Sequence, residues 1–124
     1  MASHKIISIE DSAITQEELR VMFSEYDCEI LTAGDGEAGL ELILANLDAR
    51  LIIIDYEMPK KNGLDLVEDL KTKVKEPPPI VFLTAEPKSE RTERAKQLGV
   101  RTWIVKPLQK TVVDKLASRY VTDS

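Results

Sequence analysis

The sequence is poor in cysteine, histidine and long apolar stretches, and each shortage excludes a class of protein. Cys28 is the only cysteine, so no internal disulfide forms, and 124 residues bury enough surface to fold without one. No apolar run approaches the length of a membrane span. Glu10 and Asp11 interrupt the first apolar run, so we expect no signal peptide. Together these features predict a cytoplasmic protein without a membrane partner.

Basic charge is also scarce, because acidic residues exceed basic ones and the net charge is −5. Binding to nucleic acid favours a basic patch, since the counterions it releases supply much of the affinity. Lysines cluster at residues 60–61 and 71–75, but both clusters lie beside Asp or Glu. We interpret them as solvated surface, and we expect no direct nucleic-acid partner.

Five short apolar runs are present, and most of the stretches between them are amphipathic. The runs lie at residues 6–9, 28–31, 51–54, 80–83 and 102–105. Four apolar residues without alternation are typical of strands covered on both faces. Helical spacing predicts core-facing residues in four of the intervening or following stretches: Leu19, Met22, Phe23 and Tyr26; Leu40, Ile43, Leu44 and Leu47; Val67, Leu70 and Val74; and Val112, Val113, Leu116 and Tyr120.

The fourth intervening segment, "KSERTERAKQLG" at residues 88–99, has a weaker apolar face than the others. Only Ala95 and Leu98 can face a core, and Gly99 is a natural helix stop. We therefore expect an exposed and loosely held helix.

Strand and helix alternate five times, which predicts a parallel α/β sheet with helices on both faces. In such sheets the functional crevice lies at the carboxyl ends of the strands. Four of the five apolar runs end there in Glu10 with Asp11, Asp55, Thr84 and Lys106, whereas the second run is followed by Thr32 and Ala33, neither of which is ionisable.

Each of these residues also has a purely structural explanation. Asp11 or Ser12 suits a helix cap, Asp55 an Asx-turn, Thr84 a strand, and Lys106 a solvated strand end. Four strand ends with polar groups at one edge fit these explanations poorly when they are taken together. We therefore favour a shared site.

Three carboxylates at one edge require a positive partner. Two like charges about 4 Å apart repel by roughly 4 kcal/mol at an effective dielectric constant near 20. Lys106 offsets one charge, and about two negative charges remain, which matches one divalent cation. Oxygen ligands without cysteine or histidine indicate Mg²⁺, with Mn²⁺ able to substitute. His4 precedes the first apolar run, and we interpret it as part of a solvated terminus.

Such a site suits phosphoryl transfer. The cation would neutralise some phosphoryl oxygens, while Lys106 and the Thr84 hydroxyl would contact the others. A carboxylate opposite them would attack in line and form an acyl phosphate.

Four motifs occupy the predicted strand ends in a set order: "IEDS" at 9–12, "DYEMPKKNGLDL" at 55–66, "LTAE" at 83–86 and "VKPL" at 105–108. Together they resemble the receiver domain of two-component response regulators, over nearly the whole chain. The resemblance implies one receiver domain over residues 1–124. It also implies a flavodoxin-like, doubly wound sheet of five parallel strands in the order 2-1-3-4-5, with five helices.

The resemblance also implies roles for individual residues. Asp55 matches the phosphoacceptor, and Glu10 and Asp11 match the acidic pair that holds Mg²⁺ together with Asp55 and the main-chain carbonyl of Glu57. Glu10 stands where Asp is commoner in the family.

Three further positions match the switch that the family uses. Thr84 matches the switch hydroxyl and Lys106 the phosphate-binding lysine, and the Lys106–Pro107 bond is expected to be cis. Trp103 stands where Tyr or Phe is usual, so it is either a switch residue or a fixed packing residue. Glu57 and Glu86 add acid around the site.

As a receiver, the chain would be a phosphoacceptor regulator in a phosphorelay and not a turnover enzyme. Its phosphodonor would be a histidine kinase or a phosphotransfer protein. Phosphorylation would change the surface of the fourth helix, fifth strand and fifth helix, which would meet a downstream protein, a missing output domain or a second copy of the chain. The sequence ends one helix after Lys106, so we expect either a stand-alone regulator or a receiver from a longer protein.

Three alternatives remain. A pseudo-receiver would keep the fold as a protein-interaction module without phosphotransfer. A flavodoxin-like nucleotide binder needs a Gly-rich or hydroxyl-rich loop after the first strand, where this chain has "EDSAITQE". A Mg²⁺-dependent phosphohydrolase needs a second catalytic acid and a cap for which no insertion is long enough.

Overall fold

The computed structural model describes residues 4–58, 61–85 and 90–121, which form five strands and five helices in alternation. In chain order the elements are β1 His4–Ile9, α1 Ala13–Met22, β2 Cys28–Ala33, α2 Gly36–Leu44, β3 Leu51–Asp55, α3 Gly63–Lys73, β4 Ile80–Thr84, α4 Glu90–Gln97, β5 Thr102–Val105 and α5 Lys110–Tyr120. All five strands begin within two residues of a predicted apolar run.

The strands form one sheet in the order β2-β1-β3-β4-β5, and every neighbouring pair is parallel. This confirms the predicted doubly wound α/β fold. The order reverses direction beside β1 and β3, so the carboxyl ends of these two central strands flank the crevice where such sheets bind ligands.

The two faces of the sheet bury separate apolar layers. In β3, Ile52 and Ile54 pack on the face that also holds residues of α2 and α3, whereas Leu51 and Ile53 pack on the face that holds residues of α1 and α5. Every residue of β3 is buried, up to and including Asp55. Burial of apolar surface of this extent is the main term that stabilises such a fold.

The edge strands correct one expectation. β2 and β5 were predicted to be covered on both faces, but most of their residues are half-buried or exposed. Each pairs with only one neighbouring strand. Val105, at the end of β5, exposes 45% of its surface.

Polar caps start three helices directly after the loops at the carboxyl edge. The side chain of Ser12 accepts a hydrogen bond from the Thr15 amide at 3.3 Å. Asp35 and Asn62 do the same at the starts of α2 and α3. Because Ser12 caps α1, the carboxylate of Asp11 is left for another role.

Helical spacing extended three helices too far. Tyr26, Leu47 and Val74 lie beyond the ends of α1, α2 and α3, where the chain leads towards the next strand. Leu44 and Leu47 were predicted to face the core, but both are exposed. The small residue Gly39 takes the core-facing place, and it packs against Ile9.

The fourth helix has the weak anchorage that was predicted. Ala95 is its buried residue among those described, Leu98 follows half-buried, and Gly99 adopts a φ of 90°. An exposed ion pair of 2.7 Å joins Arg94 to Glu68 on α3. Such pairs contribute little to stability, so α4 is held mainly through one small apolar side chain.

One single-residue interpretation was wrong. His4 is not part of a terminus before the first strand; it is the first residue of β1 and pairs with Cys28. Cys28 is half-buried, and burial raises the pKa of its thiol, which favours the protonated form at neutral pH. Within the described residues, no helix has both the length and the apolar character that crossing a membrane requires.

The first prediction concerns the close contact between α2 and β1. A Cβ added at Gly39 would lie 2.6 Å from Ile9 Cδ1 and 2.8 Å from Ile9 Cγ2 in the core. We expect Gly39→Ala to lower the free energy of unfolding by about 1–3 kcal/mol through overpacking, although alanine favours helices. Urea denaturation measures this change.

Gly34→Ala is the matched control, because nothing lies within 4 Å of a Cβ added there. It should change stability by no more than about 0.5 kcal/mol. Equal stability of Gly39→Ala and wild type would contradict the packing described here.

Candidate functional site

The predicted site residues meet at the carboxyl edge of the sheet. Asp55 ends β3 and Glu10 directly follows β1, and these two neighbouring strands bring the carboxylates together. Both side chains are almost fully buried, with 2% of each exposed. A buried carboxylate is costly unless it is paired, so this arrangement needs positive partners.

Lys106 supplies the first positive partner. Its Nζ lies 3.1 Å from Asp55 Oδ1 and 3.6 Å from Glu10 Oε1. The backbone holds Lys106 in place, because its amide donates to the Thr84 carbonyl at 2.7 Å. The following Lys106–Pro107 bond is cis, as expected from the sequence.

The acidic residues are arranged in a way that suits a divalent cation. Glu10, Asp11 and Asp55 each offer one oxygen, and these oxygens all lie within 4.8 Å of one another. Glu10 Oε2 accepts a hydrogen bond from the Ser12 amide at 3.0 Å. Glu10 Oε1 is buried and accepts none from the described residues. Hard oxygen donors of this kind fit Mg²⁺ or Mn²⁺, so the residues present are compatible with the expected ion.

Burial and the neighbouring charged groups raise the pKa values of three residues of the site. Burial, together with Asp55, raises the pKa of Glu10 to about 8. Burial also raises the pKa of Asp55, although Glu10 and Lys106 oppose the shift. Burial disfavours the Lys106 ammonium, but the hydrogen bond to Asp55 and the nearby acids outweigh it and raise the pKa of Lys106. Without a cation, the two buried carboxylates therefore compete for a proton at neutral pH.

Thr84 and Glu57 meet near Asp55, where β4 ends beside β3. Thr84 ends β4 fully buried, and its hydroxyl donates to Glu57 Oε2. The Ala85 amide donates to Glu57 Oε1 at 2.9 Å, while the Glu57 amide donates to Asp55 Oδ1 at 3.2 Å. Sequence analysis identified Glu57 as a main-chain ligand and as extra acid near the site. It did not predict this contact of the carboxylate with Thr84 and Ala85, for which the sequence offers no signal beyond an acid two residues after Asp55.

Trp103 packs inward beside the site. It lies opposite Phe82 in the β4–β5 pairing, and the two ring centroids are 5.5 Å apart. The ring of Tyr56, the buried residue after Asp55, lies 5.2 Å from that of Trp103. In this state Trp103 is a half-buried packing residue that touches the neighbour of Asp55. Sequence reasoning did not single out Tyr56.

Three residues of the quoted motifs, Pro59, Lys60 and Glu86, lie outside the described residues. The metal role predicted for the Glu57 main-chain carbonyl stays a prediction, as do the roles predicted for Asp55, Thr84 and Lys106.

Known proteins share this arrangement of strands and motifs. The sequence model of the response regulator receiver domain matches residues 6–117. The transcriptional regulatory protein PdtaR of Mycobacterium tuberculosis is 34% identical over 104 residues, which cover 83% of this chain and 49% of PdtaR. The chemotaxis protein CheY1 of Helicobacter pylori is 32% identical over 112 residues, which cover 88% of this chain and 90% of CheY1.

A solved structure of the chemotaxis protein CheY4 of Vibrio cholerae has the same fold. It superposes with a TM-score of 0.84 at 26% identity, over 97% of this chain and 100% of CheY4. The chain thus spans about half the length of PdtaR and the whole of the CheY4 chain.

The second prediction follows from the raised pKa of Glu10. In the folded protein Glu10 keeps its proton up to about pH 8, whereas in the unfolded chain it loses it near 4.5. Between these values the folded state binds more protons, so without a divalent cation its free energy of unfolding should fall as pH rises. Glu10→Gln should flatten this decline and gain on the order of 3 kcal/mol at the alkaline end.

Urea denaturation at a series of pH values, with chelator and then with Mg²⁺, measures the effect. Mg²⁺ should restore the alkaline stability of wild type and leave Glu10→Gln little changed. Glu17→Gln, at an exposed position on α1, is the control and should behave as wild type. Stability that rises across this range in metal-free wild type would contradict the pKa assignment.

Proposed function

The chain belongs to the response regulator receiver domain family, and from this premise we propose that it accepts a phosphoryl group on Asp55 within a phosphorelay. The observation that carries the proposal is the buried Asp55 carboxylate, 3.1 Å from the Lys106 ammonium and beside two further acids. We propose that residues 1–124 act as a single receiver domain in the cytoplasm.

The chemistry proposed for Asp55 is nucleophilic. One carboxylate oxygen forms a bond to phosphorus while the phosphorus–nitrogen bond of a phosphohistidine breaks, and the donor imidazole keeps that electron pair. The donor would be a histidine kinase or a phosphotransfer protein. Lys106, whose Nζ lies 3.1 Å from Asp55 Oδ1, would contact one phosphoryl oxygen, and the Thr84 hydroxyl and Ala85 amide at the end of the neighbouring strand β4 would contact others. These groups would orient the phosphoryl group and offset its charge.

Four protein groups would hold Mg²⁺: the carboxylates of Glu10, Asp11 and Asp55 and the main-chain carbonyl of Glu57. When bound, the ion would neutralise phosphoryl charge during transfer. The unbonded, buried Glu10 Oε1 supports this assignment, because an ion would satisfy an oxygen that the described residues leave without a hydrogen bond.

The proposed output is a change of surface rather than turnover of a substrate. We propose that phosphorylation draws the Thr84 hydroxyl towards the phosphoryl group and alters the packing near Trp103, and so the surface formed by α4, β5 and α5. The weak anchorage of α4 through Ala95 supports this choice, because such a helix can shift at low cost.

The partner that meets this surface would be a downstream protein, an output domain or a second phosphorylated copy. PdtaR and CheY1 are named for transcriptional regulation and chemotaxis respectively, so relatives of this chain serve different outputs. The net charge of −5 supports a protein partner over direct contact with nucleic acid.

One observation favours a second candidate function, a pseudo-receiver that binds partners without phosphotransfer. The Glu57 carboxylate already accepts hydrogen bonds from the Thr84 hydroxyl and the Ala85 amide, two donors that a phosphoryl group would need. If that contact never opened, phosphorylation would be blocked.

The third prediction separates the two functions. Incubation with acetyl phosphate and Mg²⁺ should add the mass of one phosphoryl group to the wild-type protein and none to Asp55→Asn. Lys106→Ala should react about 100-fold more slowly, because it removes a contact to the transferred group. Intact-mass spectrometry measures both.

Lys115→Ala, at an exposed position on α5, is the matched lysine control and should react at the wild-type rate. A wild-type protein that gains no mass, or an Asp55→Asn protein that gains as much, would contradict the proposal.

The fourth prediction concerns the proposed switch. Trp103 is the only tryptophan, so its emission reports this region alone. Adding beryllofluoride with Mg²⁺ should shift the emission of wild type, because the contact with Tyr56 changes, and leave Asp55→Asn unaffected. If the emission spectrum of wild type were the same before and after the addition, Trp103 would be a fixed packing residue and not part of a switch.

A further inference from the structure

We propose that the Glu57 side chain is an intramolecular competitor of phosphorylation, which holds the hydroxyl of Thr84 and the amide of Ala85 while Asp55 is unmodified. The inference rests on the proposed function and deepens it by naming a residue that regulates the same site.

The contacts place both carboxylate oxygens of Glu57 on the tip of β4. Oε2 accepts from the Thr84 hydroxyl, and Oε1 accepts from the Ala85 amide at 2.9 Å. The chain bends just before this, and the Glu57 amide donates back to Asp55 Oδ1 at 3.2 Å. The acid two residues after the phosphoacceptor therefore spans the space between β3 and β4.

A carboxylate and a phosphoryl group can accept hydrogen bonds from the same two donors, the Thr84 hydroxyl and the Ala85 amide. Both present negatively charged oxygens, and hydrogen bonds to charged acceptors are stronger than those between neutral groups. The Thr84 hydroxyl and the Ala85 amide have one hydrogen each, so neither can serve Glu57 and a phosphoryl oxygen at full strength. A phosphoryl group on Asp55 can gain these donors only when Glu57 releases them.

Release is feasible because Glu57 is exposed at the surface. When the Glu57 carboxylate leaves the Thr84 hydroxyl and the Ala85 amide, it accepts hydrogen bonds from water instead. The contact can therefore open and close. A receiver that is closed most of the time binds a phosphoryl group more weakly than its open form, in proportion to the open fraction. If the contact is closed nine-tenths of the time, the apparent affinity falls about tenfold.

Two substitutions separate this contact from simple charge repulsion. Glu57→Asp keeps the charge on an arm shorter by one methylene group, so the contact to both donors is lost. Glu57→Ala removes charge and contact together. Glu41→Ala, at an exposed position on α2, is the matched control.

Beryllofluoride with Mg²⁺ is the probe, and ¹⁹F NMR measures its dissociation constant. We expect Glu57→Ala and Glu57→Asp to bind about tenfold more tightly than wild type, and Glu41→Ala to match wild type. Wild-type affinity in both Glu57 variants would overturn the inference. Tighter binding by Glu57→Ala alone would also overturn it, because charge repulsion would then explain the effect.

A second measurement does not depend on phosphoryl binding. The exchange of the Ala85 amide hydrogen with water, measured by NMR in metal-free protein, should be about tenfold faster in both Glu57 variants than in wild type, because the contact protects that amide. Equal exchange rates would overturn the inference. If wild type bound no beryllofluoride, the proposed function would be wrong. The exchange rate of the Ala85 amide hydrogen would still show whether Glu57 contacts that amide.

Discussion

The cost of burying two carboxylates beside each other governs this structure. Glu10 and Asp55 are almost entirely removed from water, and Lys106 is shared between them at 3.6 and 3.1 Å. Burial, together with the neighbouring Asp55, raises the pKa of Glu10 to about 8. Glu10 Oε1 is buried and accepts no hydrogen bond from the described residues, so the site is compatible with a cation.

The strand order of the sheet determines which residues lie beside the two buried carboxylates. Because β1 and β3 are central neighbours, the residues at their ends meet without help from long loops. β4 and β5 follow on one side, so the Thr84 hydroxyl and the Lys106 ammonium reach the same edge from successive strands. The aromatic ring of Tyr56 then joins this edge to Trp103 and Phe82. Tyr56, whose ring packs against Phe82 of β4 and Trp103 of β5, thus directly follows Asp55 along the chain.

Much of this could be predicted from the sequence, because a buried parallel strand leaves a continuous apolar run and its first polar residue marks the edge. Asp55 and Thr84 were located in this way. Periodicity failed at Leu47, since helical spacing carries no information on where a helix stops. Spacing also gave no indication of the carboxylate contact from Glu57 to Thr84, because a long side chain at a loop can turn towards several donors. The family resemblance predicted the strand order, whereas only the structure shows the contact between Glu57 and Thr84.

The central claim is that the acidic cluster exists to hold a divalent cation next to Asp55. A crystal grown with Mn²⁺, and measured for anomalous scattering, tests it most directly. The account predicts one strong anomalous peak among the side-chain oxygens of Glu10, Asp11 and Asp55. A map without a peak there, with the three carboxylates in the positions described, would contradict it.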